Sequence, residues 1–197
     1  VLSDCGVETG MHYAGDLTRT FPVSNTFTTI QRDIYDIVLR AHGSAVALLQ
    51  PGKPFRDIHL HACEKLTEGL QQLGIMKGDA KEAVALGAHA LFFPCGLGHM
   101  MGLDTHDMEN LGEQYVGYND EIKKSTQFGL KSLRLAKPLE EGFVVTVEPG
   151  LYFNPALIDE WEANNQLGSF INYDKLKAYR NLTGIRVEED FVITQNG

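Results

Sequence analysis

Residues 143–153 read FVVTVEPGLYF. The run is β-branched and aromatic, which predicts a strand from Phe143 to Phe153 with at least one buried face. Glu148 stands in the middle of it. Carboxylates are depleted in strands, and burying the charge without a partner costs several kcal/mol. The same oddity recurs along the chain: Asp4 in VLSDCG, Asp16 in YAGDLTRTF, His99 in GLGHMMGLDTH and Glu188 in GIRVEEDF. Four carboxylates and a histidine, each in an apolar run, imply a shared countercharge. The simplest is a pair of divalent metal ions.

The elements around these residues follow from pattern. Val1 to Val7 and His12 to Val23 read as two strands joined by a turn at Glu8-Thr9-Gly10. Thr28 followed by Gln31 is a capping-box signature, and Ile30, Ile34, Ile37, Val38, Ala41, Ala45 and Leu48 recur at helical spacing. That helix is expected to run to about Gln50 and stop at Pro51-Gly52. A second helix spans Phe55 to Leu73, with Ile58, Ala62, Leu66 and Leu70 on its apolar face and Gly74 ending it. A short helix covers Ala80 to Leu86. From Phe92, Pro94, Gly96, Gly98 and Gly102 exclude regular helix. Tyr115 to Pro138 reads as irregular. A last strand spans Ile185 to Thr194, after a long mixed excursion from Asn154 to Thr183 that holds the only tryptophan, Trp161.

The chain has 197 residues, 43% apolar and 22% charged, enough for one sizeable domain. Its formal charge of −9 and lack of a basic stripe exclude a nucleic-acid role. Three cysteines (Cys5, Cys63 and Cys95) make an odd, unpaired set, so a reducing, cytoplasmic setting is expected. No apolar run is long enough to span a bilayer, and no signal peptide is visible, so no membrane partner is expected. The chain begins at Val1 inside an apolar run, which reads as the middle of a strand and hence as a fragment of a longer protein.

Alternation along strands adds detail. Asp16 and Thr18 share a face, as do Thr146 and Glu148, and Arg186 and Glu188. The threonines are therefore candidates to orient the carboxylates, and the guanidinium to pair with one. Asp4 and Asp16, on adjacent strands, would sit directly opposed within about 5 Å. Each would raise the other's pKa unless a cation lay between them. Oxygen ligands with one imidazole and no thiolate suit manganese, cobalt or zinc. Two such ions about 3.5–4 Å apart lower the pKa of a shared water toward about 7, which points to hydrolysis of an amide or a phosphate ester. His59 and His61, two apart on a helix, diverge and read as surface residues. His12 and His89 carry no assigned role.

DLTRTFPV, GLGHMMGLDTHD, TVEPGLYF and GIRVEED together resemble the signature blocks of the proline-specific metallopeptidases, aminopeptidase P (Xaa-Pro aminopeptidase) and Xaa-Pro dipeptidase (prolidase). The blocks run in the family's order from Asp4 to Asp190. The resemblance implies an α+β fold, the pita-bread (creatinase/aminopeptidase-like) fold: a curved antiparallel sheet with helices on its outer face. Residues 1–197 would be the C-terminal part of its catalytic domain, lacking much of the first half. It implies two divalent metal ions, manganese first, with cobalt or zinc possible. Asp4 would chelate one ion, Asp16 and Glu188 would bridge both, and His99 and Glu148 would hold the second. As catalytic residues, Glu148 would also carry the proton, His106 would contact substrate near the scissile bond, and Arg186 would support the ligands. The substrate implied is a peptide with proline at its second position, and the full-length enzyme is expected to be a homodimer.

Three departures stand out. Cys95 occupies the position where the family has a substrate-side histidine, four residues before His99. The Asp4 to Asp16 interval is one residue longer than in typical members. The missing first half would leave the pocket open on one side. The alternative reading is a non-catalytic peptide- or protein-binding module on the same fold, which Cys95 and the missing half favour and the intact ligand set opposes. A phosphoesterase is opposed by the absence of a lysine or arginine cluster.

Overall fold

The computed structural model describes residues 1–197. A hairpin opens the chain, with β1 (Leu2–Cys5) antiparallel to β2 (Leu17–Thr20). An isolated bridge between Glu8 and Ala14 extends it, and the turn centres on Met11. That is one residue beyond the position that would oppose Asp4 to Asp16. Asp4 therefore faces Thr18 and lies diagonal to Asp16, a correction to the direct pairing expected from sequence.

α1 (Thr29–Val46) begins at the expected capping box: the Thr28 hydroxyl accepts from the Gln31 amide at 3.3 Å, and the Gln31 side chain accepts from the Thr28 amide at 2.9 Å. It ends earlier than Gln50, because the amides of Leu48 and Leu49 bond three residues back and tighten into a turn. α2 (Phe55–Gln72) buries Ile58, Ala62, Leu66 and Leu70 as expected, and Gly74 follows it at φ +71°. It also buries His59, which overturns the surface assignment. α2 is covered on two sides, by α1 and by residues 88–93, so its buried arc is wider than one apolar stripe. His61 stays half-buried and bonds Ser44 at 2.6 Å. α3 (Ala80–Ala85) is capped by Asp79, and a short α4 (Glu113–Val116) precedes the irregular stretch.

The two long C-terminal strands predicted from sequence are each broken. Residues 143–153 form β3 (Val144–Val147) and β4 (Gly150–Phe153), interrupted at Glu148-Pro149. After α5 (Pro155–Ala163), which buries Trp161, and α6 (Tyr173–Leu176), the chain returns as β5 (Thr183–Arg186) and β6 (Glu189–Val192), interrupted at Val187-Glu188. β3 pairs with β6 and β4 with β5, both antiparallel. Pro149 has no N–H to give the ladder. The Glu188 amide turns instead to the Thr18 carbonyl at 3.2 Å, joining this ladder to the first hairpin. Register is the same on both sides of the break, so Glu148 lies directly across from Glu188.

Alternation sends Val145, Val147, Leu151, Phe153 and Ile185 to one face, where α1 and α2 cover them with Ile34, Ile37, Ile58 and Leu66. Thr146, Glu148, Arg186 and Glu188 take the other face. This is the expected arrangement of helices on one side of an antiparallel sheet. No helix is long and apolar enough to cross a membrane.

Residues 97–101 run beside β3: the Thr146 amide bonds the His99 carbonyl at 3.1 Å and the Glu148 amide bonds the Leu97 carbonyl at 2.7 Å. Gly98 permits this approach, since a Cβ there would lie 2.0 Å from the Thr146 carbonyl oxygen. Backbone on both sides has no room to yield. Gly98→Ala is expected to cost about 2–4 kcal/mol in a urea titration, by pushing the His99 segment off β3.

Candidate metal centre

The polar face of the sheet opens into a cavity of about 280 Å³ lined by Asp4, Asp16, Cys95, His99, His106, Glu148, Arg186 and Glu188, with Ser132 and Arg134 on its wall. All seven residues selected from sequence as metal ligands or catalytic groups thus meet in one place. Sequence reading missed Ser132 and Arg134. They come from the irregular 115–138 stretch, where no periodicity marks them, and Arg134 is held there by an ion pair with Glu109.

His99 is 2% exposed. Its Nδ1 lies 3.0 Å from the Met100 carbonyl, which sets the proton on Nδ1 and leaves the Nε2 lone pair free. Nε2 points between the Asp16 and Glu148 carboxylates, at 3.5 and 3.6 Å. These gaps are long for hydrogen bonds. They match ligands around one ion, because metal–ligand bonds of about 2.0–2.2 Å at open angles separate ligand atoms by about 3–3.5 Å. Ligand atoms of Asp16, His99 and Glu188 all lie within 4.8 Å of one another.

Two threonines orient the acids. Thr146 donates to Glu148 at 3.3 Å, as strand alternation predicts. Thr18 does not serve Asp16: its hydroxyl donates to Glu188 at 2.5 Å, because the bridge between Thr18 and Glu188 brings those strands together. Arg186 donates from Nε to the Thr18 hydroxyl at 3.0 Å, pairs with Asp4, and lies 3.6 Å from Glu188. Tyr152, unremarked in the sequence, meets the same guanidinium at 3.4 Å. The His106 ring stands edge-on to His99, with centroids 4.5 Å apart.

The charge arrangement is unfavourable as it stands. Burial and the facing Glu188 push Glu148 up to about 8. Burial, with Asp16 and Asp4 adding, pushes Glu188 up to about 7. Asp16 is raised by burial and then by Asp4. Burial lowers His99, helped by His106, so its imidazole is neutral and able to ligate. Acids gathered until their ionised forms are disfavoured, beside a neutral imidazole with its lone pair turned inward, form a donor set that divalent cations fit. Cys95 is an exposed residue that also lines the cavity, and partial desolvation of its sulfur, with Glu148 nearby, raises its pKa. It is an unactivated thiol.

Residues 1–195 match the metallopeptidase family M24, and the chain belongs to that family. It is similar over its full length, at 41% identity, to a Metarhizium robertsii protein named "Probable Xaa-Pro aminopeptidase pepP", of which it covers 40%. Among solved structures it resembles Zn-substituted Escherichia coli aminopeptidase P in complex with product, at 37% identity and a TM-score of 0.73, covering 36% of that chain. It also resembles Pseudomonas aeruginosa aminopeptidase PepP, at 31% identity and a TM-score of 0.71. The chain spans about 40% of the length of the curated relatives it matches. The fold is that of the corresponding part of aminopeptidase P, the pita-bread metallopeptidase fold.

Proposed function

We propose that residues 1–197 are the ligand-bearing part of the catalytic domain of a dinuclear Xaa-Pro aminopeptidase, which hydrolyses the bond between an N-terminal residue and proline. The observation that carries this reading is the convergence of Asp4, Asp16, His99, Glu148 and Glu188 on one cavity, with the His99 lone pair directed between carboxylates. The names of the relatives favour an aminopeptidase over a dipeptidase. The five residues would hold two divalent ions, with manganese preferred for an oxygen-rich set that includes an imidazole. Three free cysteines support a reducing, cytoplasmic setting.

When bound, the ions would polarise the scissile carbonyl and acidify a water. This chain's residues do the rest. Glu148 takes a proton at a carboxylate oxygen and returns it to the leaving prolyl nitrogen. His106, at the cavity wall beside His99, contacts the substrate near the scissile bond. Arg186 fixes Asp4 and the Thr18 hydroxyl, and through Thr18 the Glu188 carboxylate. Cys95 supplies less hydrogen bonding than an imidazole would, so Ser132 and Arg134 take a larger share of the substrate contacts.

The test uses full-length protein, Xaa-Pro peptides of several lengths and added Mn²⁺. Expected are release of the N-terminal residue, loss of turnover on chelation, and recovery when Mn²⁺ is restored. Cleavage that persists after chelation overturns the reading. A binding module would instead keep its peptide affinity and show no turnover.

A further inference from the structure

A second set of metal-type side chains lies outside the carboxylate cavity. α2 places His59 and Cys63 one turn apart, and His89, in the 3₁₀ turn Ala88–Leu91, completes a triangle. One ring nitrogen from each histidine and the Cys63 Sγ lie within 4.8 Å of one another. His59 and Cys63 are fully buried and His89 is 2% exposed. His59 Nε2 faces the sulfur at 3.5 Å. The other nitrogen of His59 and both nitrogens of His89 have no hydrogen-bond partner. The Val84 carbonyl favours a proton on the His89 ring while lying outside hydrogen-bond geometry. Buried, unpartnered nitrogens are rare in a packed core. Here an unpartnered ring nitrogen of His89 lies within 4.8 Å of the Cys63 sulfur and the His59 ring, which points to a ligand among the three.

We propose that His59, Cys63 and His89 form a buried three-coordinate site for a soft monovalent metal ion of the Cu(I) type. A thiolate with two imidazoles is a soft donor set. Charge selects the oxidation state. One thiolate, two neutral rings and one monovalent cation make a neutral centre that a core can hold. A divalent ion would leave a net positive charge, and Glu64 is the acid whose charge acts on Cys63, from a separate position on α2. Burial lowers His59 to about 3 and His89 to about 4, so both rings are neutral at physiological pH. Burial raises the Cys63 thiol, so it binds by giving up its proton: the S–H bond breaks, the S–Cu bond forms, and one proton leaves for solvent with no change in oxidation state. The Phe93 ring, 5.7 Å from that of His59, and the Gly129 backbone close the site from solvent. The ion would clip α2 to the turn that leads into the His99 segment.

The test is anaerobic competition for Cu(I) against a chromophoric Cu(I) chelator, using full-length protein. Wild type is expected to retain one Cu(I) equivalent more than Cys63→Ala or His89→Leu, while Cys5→Ser retains the same amount as wild type. X-ray absorption should show one sulfur and two nitrogens. Tm should rise by about 5 °C or more when Cu(I) is about a hundredfold above Kd. Equal retention by wild type and both variants, sulfur-only coordination, or stronger retention of Zn²⁺ at these residues overturns the proposal. If neither variant folds, absorption and Tm on wild type decide it alone.

Discussion

Glu188→Ala is expected to abolish metal retention in the full-length protein and to lower kcat/KM for Xaa-Pro peptides by about a thousandfold or more. Glu188 is 1% exposed and is gripped by Thr18 at 2.5 Å. Its carboxylate shares one small volume with Asp16 and His99, which places it among the atoms that would touch the ions. The backbone contact that seats it, from its amide to the Thr18 carbonyl at 3.2 Å, survives the substitution. The fold should therefore persist. The stability readout separates a ligand from a structural acid. Without metal, Glu188 is a liability above neutral pH, so the metal-free variant should be more stable than metal-free wild type at pH 8. Unchanged metal content by elemental analysis would refute the role.

The second large effect is a stability slope with pH. In the metal-free protein Glu148 is raised to about 8 and Glu188 to about 7, from an ordinary 4.5. A carboxyl with a raised folded pKa holds its proton in the native state after the unfolded chain has released it. Stability is then full below about 4.5 and is lost as pH climbs through the folded pKa values. The total loss is on the order of several kcal/mol, because a tenfold change in proton affinity is worth about 1.4 kcal/mol. His59 and His89 act in the opposite sense, removing stability as pH falls below about 6.5. The clean window is therefore pH 6.5 to 8. Urea titrations there should show stability falling with pH in chelator and rising with pH in Mn²⁺, because ligation needs the carboxylates ionised. Glu148→Gln should remove much of the metal-free slope. A flat profile in chelator would contradict the crowding of charge described for this face.

The candidate centre was legible because an acid in an apolar, strand-like run is costly, and that cost is visible without coordinates. Glu148 and Glu188 stood out in this way, as did Arg186 two residues before Glu188. The helices were legible because Thr28, Gln31 and Gly74 are local signals whose effect does not depend on tertiary contacts. The misreadings arose where distant chain decides. A turn centred on Met11 rather than one residue earlier moves Asp4 from Asp16 to Thr18. The strand break at Val187-Glu188 depends on an amide that pairs with Thr18, far away in sequence. His59 was misplaced because helical spacing reveals one stripe, whereas two neighbours cover α2. Arg134 carried no local signal at all.

The shared register of the two C-terminal ladders limits how this protein can change length. β3 with β6 and β4 with β5 hold Glu148 across from Glu188 only while both interrupted strands keep their residue count. Inserting or deleting one residue within 144–153 or 183–192 would turn one of the acids toward the helices and its valine neighbours toward the cavity. Residues 154–182, which leave the sheet as α5 and α6 and return, carry no such constraint. The helices of that excursion still carry core residues such as Ile158, Trp161 and Leu176, so inserted residues are expected to be accepted at the exposed turn 163–166 and rejected by the ladders on either side.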